Sequence, residues 1–361
     1  MGGKVIYCKG CGAKQYLYFS CGNSQCPICQ GLKRLTWQQQ LSAKLLELPY
    51  VHSVFTLPSQ LRPLAKKCPK QIYNLLMRTA WQTTKTLCLK EENVGGLPGM
   101  IAVLHTFGSD MKFHPHVHCL ITFGGWNKRK NEWCWPTRKT KFASFRKICA
   151  TYKSLFLKQL DRLIEKGEIK PPKLWEQTRK ELQQIRWNVN NCYPTIETEI
   201  IENYLSRYIN RIAISKSRLS YVKEQNQVQI LYNDYKNQKK NQPAPKAIKH
   251  LHPLTAIDQI MIHVLPVYFQ KSRYYGIHAP KTYKTIKDHI PDHLKRNNQT
   301  IRILFAILNH ILNLTPWECE HCHSTAFKVI HLAPDHQWIK QFLIGSFYRP
   351  PPIKPALCFI P

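Results

Sequence analysis

Apolar residues in the first half of the chain change period in a fixed order. The run from His52 to Leu57, stopped by Pro58, has the length of a strand. From Lys70 to Leu89, Ile72, Leu75, Leu76, Ala80 and Leu87 follow helical spacing. Two extended runs come next, Met100 to Gly108 and His114 to Gly125, separated by a short break. From Phe142 to Ile164 the period is helical again, with Phe145, Ile148, Tyr152, Leu155, Phe156, Leu160 and Ile164 on one side. Gln184 to Val189 reads as a further strand. The order β-α-β-β-α-β predicts an α+β, ferredoxin-like domain, an antiparallel sheet with helices on one face.

The second extended run carries the densest chemistry, His114-Pro115-His116-Val117-His118. Side chains on a strand alternate faces, so the three histidines share one face and Val117 and Cys119 take the other. Two imidazoles at this spacing can grip one cation. His105, on the preceding run, is the expected third ligand through antiparallel pairing, with His114 and Asp110 as alternatives. The spacing does not choose between Mg, Mn and Zn.

A second feature stands further along, in Tyr204-Leu205-Ser206-Arg207-Tyr208-Ile209-Asn210-Arg211. Residues four apart stack on one helix face. Ile201, Leu205, Ile209 and Ile212 form the neighbouring apolar stripe, so Tyr204, Tyr208 and Arg211 line the edge of a docked helix. A tyrosine oxygen can form a covalent intermediate, but with an ordinary pKa of about 10 it needs help at neutral pH. A cation that polarises a phosphate oxygen supplies it. The combination predicts attack on a DNA phosphodiester, leaving a 5′-phosphotyrosine link and a free 3′-hydroxyl. Arg207 and Arg211 are suited to holding phosphate oxygens.

Five stretches, in order from about residue 8 to residue 280, carry a resemblance to a known family. They are Ser20-Cys21 with Cys26-Pro27-Ile28-Cys29; His52-Ser53-Val54-Phe55-Thr56-Leu57-Pro58; Val103-Leu104-His105-Thr106-Phe107-Gly108 with the histidine run; Tyr204 to Ser215; and His263-Val264-Leu265-Pro266 with Arg273-Tyr274-Tyr275-Gly276. In these the chain resembles the rolling-circle insertion-sequence transposases. These form the two-tyrosine branch of the HUH (His-hydrophobic-His) single-strand endonucleases. The resemblance implies that His116 and His118 are metal ligands, that Tyr204 and Tyr208 are nucleophiles, that the catalytic cation is Mg or Mn, and that an N-terminal module binds zinc.

Composition adds a polyanionic partner. Lys plus Arg number 53 against 21 Asp plus Glu, a net charge of +32, which suits DNA and makes binding salt-dependent. Two basic stretches stand out. One mixes Lys128, Arg129, Lys130, Arg138, Lys139 and Lys141 with Trp126, Trp133 and Trp135, suited either to stacking unpaired bases or to plugging a core edge. The other, Lys236 to Lys249, with Pro243 and Pro245, reads as a linker. No phosphate-cradling Gly-x-x-x-x-Gly-Lys loop is present, so ATP use is not indicated. No His-Glu-x-x-His or His-x-Glu motif supports a peptidase or a deaminase. The absence of a secretory-type start and of a membrane-length apolar run leads to the expectation of a cytoplasmic, nucleoid-associated protein that avoids membranes.

Fourteen cysteines call for metal rather than disulfides in that compartment. Cys8-x2-Cys11 and Cys26-x2-Cys29 have the spacing of a tetrahedral structural zinc site in a small ribbon, with Cys21 between them. Cys319-x2-Cys322, beside His321 and His323, is a candidate for a second zinc site needing ligands from elsewhere. The expected organisation is a zinc-binding domain over 1–40, a catalytic domain over 48–235 that includes the tyrosine helix, and a basic linker with a helical C-terminal region over 236–361.

Overall fold

The elements run through the chain as the apolar periods predict. A computed structural model describes residues 3–18, 45–191, 193–195, 213–215, 218–235, 237–239, 242–295, 319, 321–324 and 326–332. Strands β1 (Gly3–Cys8) and β2 (Lys14–Tyr18) come first, then β3 (Tyr50–Thr56), helices α1 (Arg62–Lys67) and α2 (Pro69–Cys88), and strands β4 (Gly99–Phe107) and β5 (Phe113–Thr122). The short β6 (Gly125–Asn127) and β7 (Glu132–Cys134) precede α3 (Phe145–Glu165), α4 (Trp175–Gln184) and β8 (Val189–Asn191). Strands β9 (Leu219–Val222), β10 (Gln227–Asn233) and β11 (Lys246–Leu251), helix α5 (Pro253–Met261), strand β12 (Ser272–Gly276), helix α6 (Pro280–Ile286) and strand β13 (Phe327–Leu332) follow. The chain divides into two units, Gly31–Asn298, and Met1–Gln30 together with Gln299–Pro361.

In the larger unit, a five-stranded sheet has the order β12-β4-β5-β3-β8, with every pairing antiparallel. Without β12, this is the ferredoxin-like arrangement of a β-α-β-β-α-β chain. One face packs against α2 and α3. Val51, Phe55, Ala102, Leu104, Val117, Cys119 and Ile121 of the sheet meet Ile72, Leu75, Leu76 and Ala80 of α2 and Ile148, Tyr152, Phe156 and Leu160 of α3. Helix α2 starts with Pro69, whose missing N–H would be unpaired there anyway. Helix α3 starts under Ser144, whose hydroxyl accepts from the Lys147 N–H. Half of the opposite face is also covered. There Tyr50, Ile101, Val103 and Leu120 join Leu45, Leu46, Leu48, Ile277, Ile286, Ile290 and Leu294. Covered on both faces, β4 is buried along its whole length, which explains its near-continuous apolar sequence.

Two features differ from the sequence reading. Residues 184–189 contain a helix end and only the first residue of the last strand. The stretch read as a linker supplies β11, which pairs with β10 from Asn233↔Lys246 to Val228↔Leu251. Its alternation of half-buried and exposed positions matches a sheet face open on one side. Arg273-Tyr274-Tyr275-Gly276 forms the edge strand β12 beside β4. Arg273 reaches Asn74 of α2, and Tyr275 stacks on Trp81 with ring centroids 5.5 Å apart. Gly276 has φ +59°, and a Cβ there would lie 1.8 Å from the Pro98 carbonyl oxygen.

The smaller unit holds the sheet β13-β1-β2, with β1 antiparallel to both partners. None of the helices among the described residues is long and apolar enough to cross a membrane.

Two outcomes follow from this packing. Gly276→Ala must move backbone as well as adopt a left-handed conformation, so urea unfolding should show a loss of more than about 2 kcal/mol. The second concerns His278, which is buried in the larger unit. Tyr50 accepts from the Leu46 N–H and shares a hydrogen bond with His278 Nε2 at 3.1 Å, and burial pushes the imidazole down to about 4. Below about pH 6.5 the unfolded chain takes a proton that the folded chain refuses, so this contribution is complete above pH 6.5 and is lost as pH falls toward 4. The loss is on the order of 3 kcal/mol. Urea midpoints measured from pH 7 to pH 4.5 should fall less steeply in His278→Gln than in the parent.

Candidate active site

Strand β5 places its histidines by register. His116 pairs directly with His105 of β4 and with Thr56 of β3, while His118 lies between Val103 and Val54. The pleat turns His105, His116 and His118 toward the face opposite α2 and α3, at the end of the sheet not covered by the second core. The three rings converge, with centroid separations of 5.4 Å for His105–His116, 4.5 Å for His105–His118 and 4.8 Å for His116–His118. One ring nitrogen from each lies within 4.8 Å of the others. His105 is 2% exposed and His118 9%.

The donor set fits a cation. His116 Nε2 and His118 Nε2 are 3.0 Å apart, close to the separation of about 3.0 Å for two nitrogens bound at about 2.1 Å and a right angle. The His116 Nδ1–H donates to the His114 carbonyl at 2.7 Å, which leaves a lone pair on Nε2. For His118 to offer Nε2, its proton must sit on Nδ1, and His52 Nε2 lies 3.1 Å away to accept it. Burial, and then the neighbouring His116, pulls His52 down to about 3, so it stays neutral. His52 thus holds the His118 ring, a contact that its sequence alone did not reveal. The available signal was parity, because His52 is two residues before Val54, the partner of His118.

The alternative third ligands are engaged otherwise. His114 Nδ1 accepts from the Arg62 guanidinium at 2.8 Å, and burial and then that charge lower its pKa. Asp110 pairs with Lys112 at 2.8 Å. Among the described residues, neither belongs to the convergent group. Tyr204, Arg207, Tyr208 and Arg211 lie outside the described residues.

The β4–β5 turn beside the site is held from below. Its register shifts between His105 and Phe107, a bulge of the kind that re-aims side chains next to active sites. His263, fully buried, spans the turn. Its Nε2–H donates to the Met111 carbonyl at 3.0 Å, and its Nδ1 accepts from the Thr106 hydroxyl at 3.2 Å. Burial lowers its pKa. In the basic tryptophan stretch, Trp126 is buried in the second core, whereas Trp135 is 49% exposed among exposed lysines and arginines.

Among the described residues, the cysteines gather into one group. Cys8 and Cys11 lie with Cys319 and Cys322, all four sulfurs within 4.8 Å of one another. Cys21, Cys26 and Cys29 lie outside the described residues. The Cys11 N–H pulls the Cys8 thiol down to about 6. Cys322, although the Ser324 N–H lowers it, is pushed up to about 12 by Cys8 and Cys11. Four such thiols cannot ionise together without a cation among them.

A family model described as "Putative transposase" matches residues 99–285, and one described as "Transposase zinc-binding domain" matches residues 1–57. The first covers β4, β5 and their three converging histidines. The chain belongs to this transposase family. It is 30% identical over 285 residues to "Putative transposase y4qJ" of Sinorhizobium fredii, covering 76% of this chain and 70% of that protein. It is 25% identical over 331 residues to "Transposase for insertion sequence element IS801" of Pseudomonas savastanoi pv. phaseolicola, covering 86% and 75%. No solved structure matches the chain at a significant level. The transposase thus pairs a zinc-binding module with a DNA-processing domain whose sheet presents three imidazoles to one point.

Removing the His263 ring should loosen the turn that carries the site. In His263→Phe the volume is kept, but a carbonyl and a hydroxyl lose their buried partner, so urea unfolding should show a loss of about 2 kcal/mol.

Proposed function

We propose that the transposase nicks and rejoins single-stranded DNA of an insertion sequence through 5′-phosphotyrosine links made by Tyr204 and Tyr208. The observation that carries this reading is the convergence of His105, His116 and His118 on the sheet face opposite α2 and α3. Mg or Mn bound there supplies Lewis-acid polarisation of a phosphate oxygen. His114, through its carbonyl, and His52 keep His116 and His118 oriented for that ion.

The tyrosine oxygen attacks phosphorus in line with the 3′ oxygen. A new O–P bond forms, the P–O3′ bond breaks, the phenol loses its proton and the 3′ oxygen gains one to leave as a hydroxyl. One phosphate ester replaces another, so a free 3′-hydroxyl can reverse the step on another strand without ATP. The second tyrosine, four residues along the sequence, can hold a second 5′ end before the first is released. Arg207 and Arg211 hold non-bridging oxygens. The preference for unpaired DNA rests on the resemblance to the single-strand endonucleases and is supported by Trp135, an exposed ring among cations and a platform for a splayed base. The net charge of +32 supports strong, salt-sensitive binding.

Incubation with end-labelled single-stranded oligonucleotides and Mn, followed by peptide mapping, should locate DNA on Tyr204 or Tyr208. Tyr204→Phe with Tyr208→Phe should abolish the adduct and leave binding intact, and undiminished adducts in that double variant would refute the assignment. His116→Ala and His118→Ala should each slow nicking by roughly 10²-fold or more, and His52→Ala by about 10- to 100-fold.

A further inference from the structure

We propose that Cys8, Cys11, Cys319 and Cys322 bind one zinc ion, so that the N-terminal zinc-binding module is completed only by the C-terminal part of the chain. The proposal is independent of the nicking chemistry, because it requires neither DNA nor the histidine cluster.

The backbone builds this site from both ends. Strands β1 and β13 pair from Gly3↔Leu332 to Cys8↔Phe327, and the ladder extends one step through the Lys9 N–H donating to the Ala326 carbonyl at 2.9 Å. That register brings the turn after β1 level with the turn before β13. Each turn carries a Cys-x2-Cys pair. In the first, the Gly12 N–H donates to the Cys8 carbonyl at 2.9 Å; in the second, the His323 N–H donates to the Cys319 carbonyl at 2.8 Å. Such turns place two thiolates on one ion.

The sulfurs then interleave across the two turns. Cys8 Sγ lies 3.4 Å from Cys322 Sγ, and Cys11 Sγ lies 3.5 Å from Cys319 Sγ. Thiolates at about 2.3 Å around a tetrahedral zinc stand about 3.8 Å apart, so the cage needs only a few tenths of an ångström of expansion. Disulfides at about 2.05 Å would require each cross-turn pair to close by well over 1 Å. Gly10 permits the approach, since a Cβ there would lie 3.1 Å from Ser324 Cβ and 3.2 Å from Cys322 Sγ. Soft thiolates select zinc over Mg or Mn, which separates this site chemically from the imidazole cluster. His321 and His323, adjacent in sequence, are exposed and are not among the grouped ligands.

This arrangement has a consequence for assembly. The first pair of ligands is synthesised more than three hundred residues before the second, because Cys11 and Cys319 are 308 positions apart. A chain that stops before Cys319 therefore leaves two thiols of the N-terminal module without their metal partners.

Zinc content of the purified full-length protein tests the ligand set. Cys8→Ser with Cys11→Ser should remove about one equivalent, and Cys319→Ser with Cys322→Ser should remove the same equivalent. All four changes together should remove no more. Retention of the parent's zinc content in the Cys319/Cys322 double variant would overturn the proposal, as would loss of two equivalents in the fourfold variant. A measurement on the unmutated protein guards against misfolded variants. In zinc-loaded protein the four thiols should resist alkylation, and a chelator should expose all four together, read by peptide mass mapping. Alkylation of Cys319 and Cys322 while Cys8 and Cys11 stay protected would equally exclude the shared site.

Discussion

The pairing register of β5 against β4 and β3 is the constraint on which the placement of the three imidazoles depends. A strand has a side-chain period of two, so a slip of one residue would bury His116 and His118 under α2 and α3 and turn Val117 and Cys119 outward. That slip is opposed by the cost of exposing Val117, Cys119 and Ile121, all of which are fully buried. The same apolar core that stabilises the domain therefore aims its chemistry. His105 depends on this register too, because it reaches the other two imidazoles only as the direct partner of His116.

Several residues that touch no candidate ligand hold the register in place. His263 satisfies a carbonyl and a hydroxyl inside the β4–β5 turn. Strand β12 closes the β4 edge, and Gly276 lets the chain turn off against the Pro98 carbonyl. An unpaired β4 edge would present open backbone donors and acceptors. The motifs His263-Val264-Leu265-Pro266 and Arg273-Tyr274-Tyr275-Gly276 thus act in architecture. Arg273 is tied to Asn74 and stacked on Phe269, and Tyr275 on Trp81, which fixes β12 to α2.

The imidazole cluster and the thiol cluster differ in how the chain makes them. The imidazole group comes from a hairpin, with two histidines two residues apart and a third on the neighbouring strand. The thiol group joins turns separated by nearly the whole sequence, brought level by the β1–β13 ladder. The imidazoles are largely withdrawn from solvent beside the sheet, whereas Cys11 and Cys322 are exposed.

Periodicity alone determined the α+β architecture, because each element is set by short-range spacing and each helix stripe or strand alternation points to one buried face. It also determined that His116 and His118 share a face, and made His105 the preferred third ligand, since hairpin partners are neighbours in both sequence and space. Tertiary structure decided what depends on contacts between distant segments. Spacing identified the Cys-x2-Cys pairs but not that Cys8 and Cys11 meet Cys319 and Cys322, because a cluster assembled across the chain leaves no local signature. The same holds for His52 behind His118, for β12 as the edge of the sheet and for β11 within the stretch read as a linker. In each case the pairing partner lies beyond the reach of local periodicity, and only long-range strand register brings the residues together.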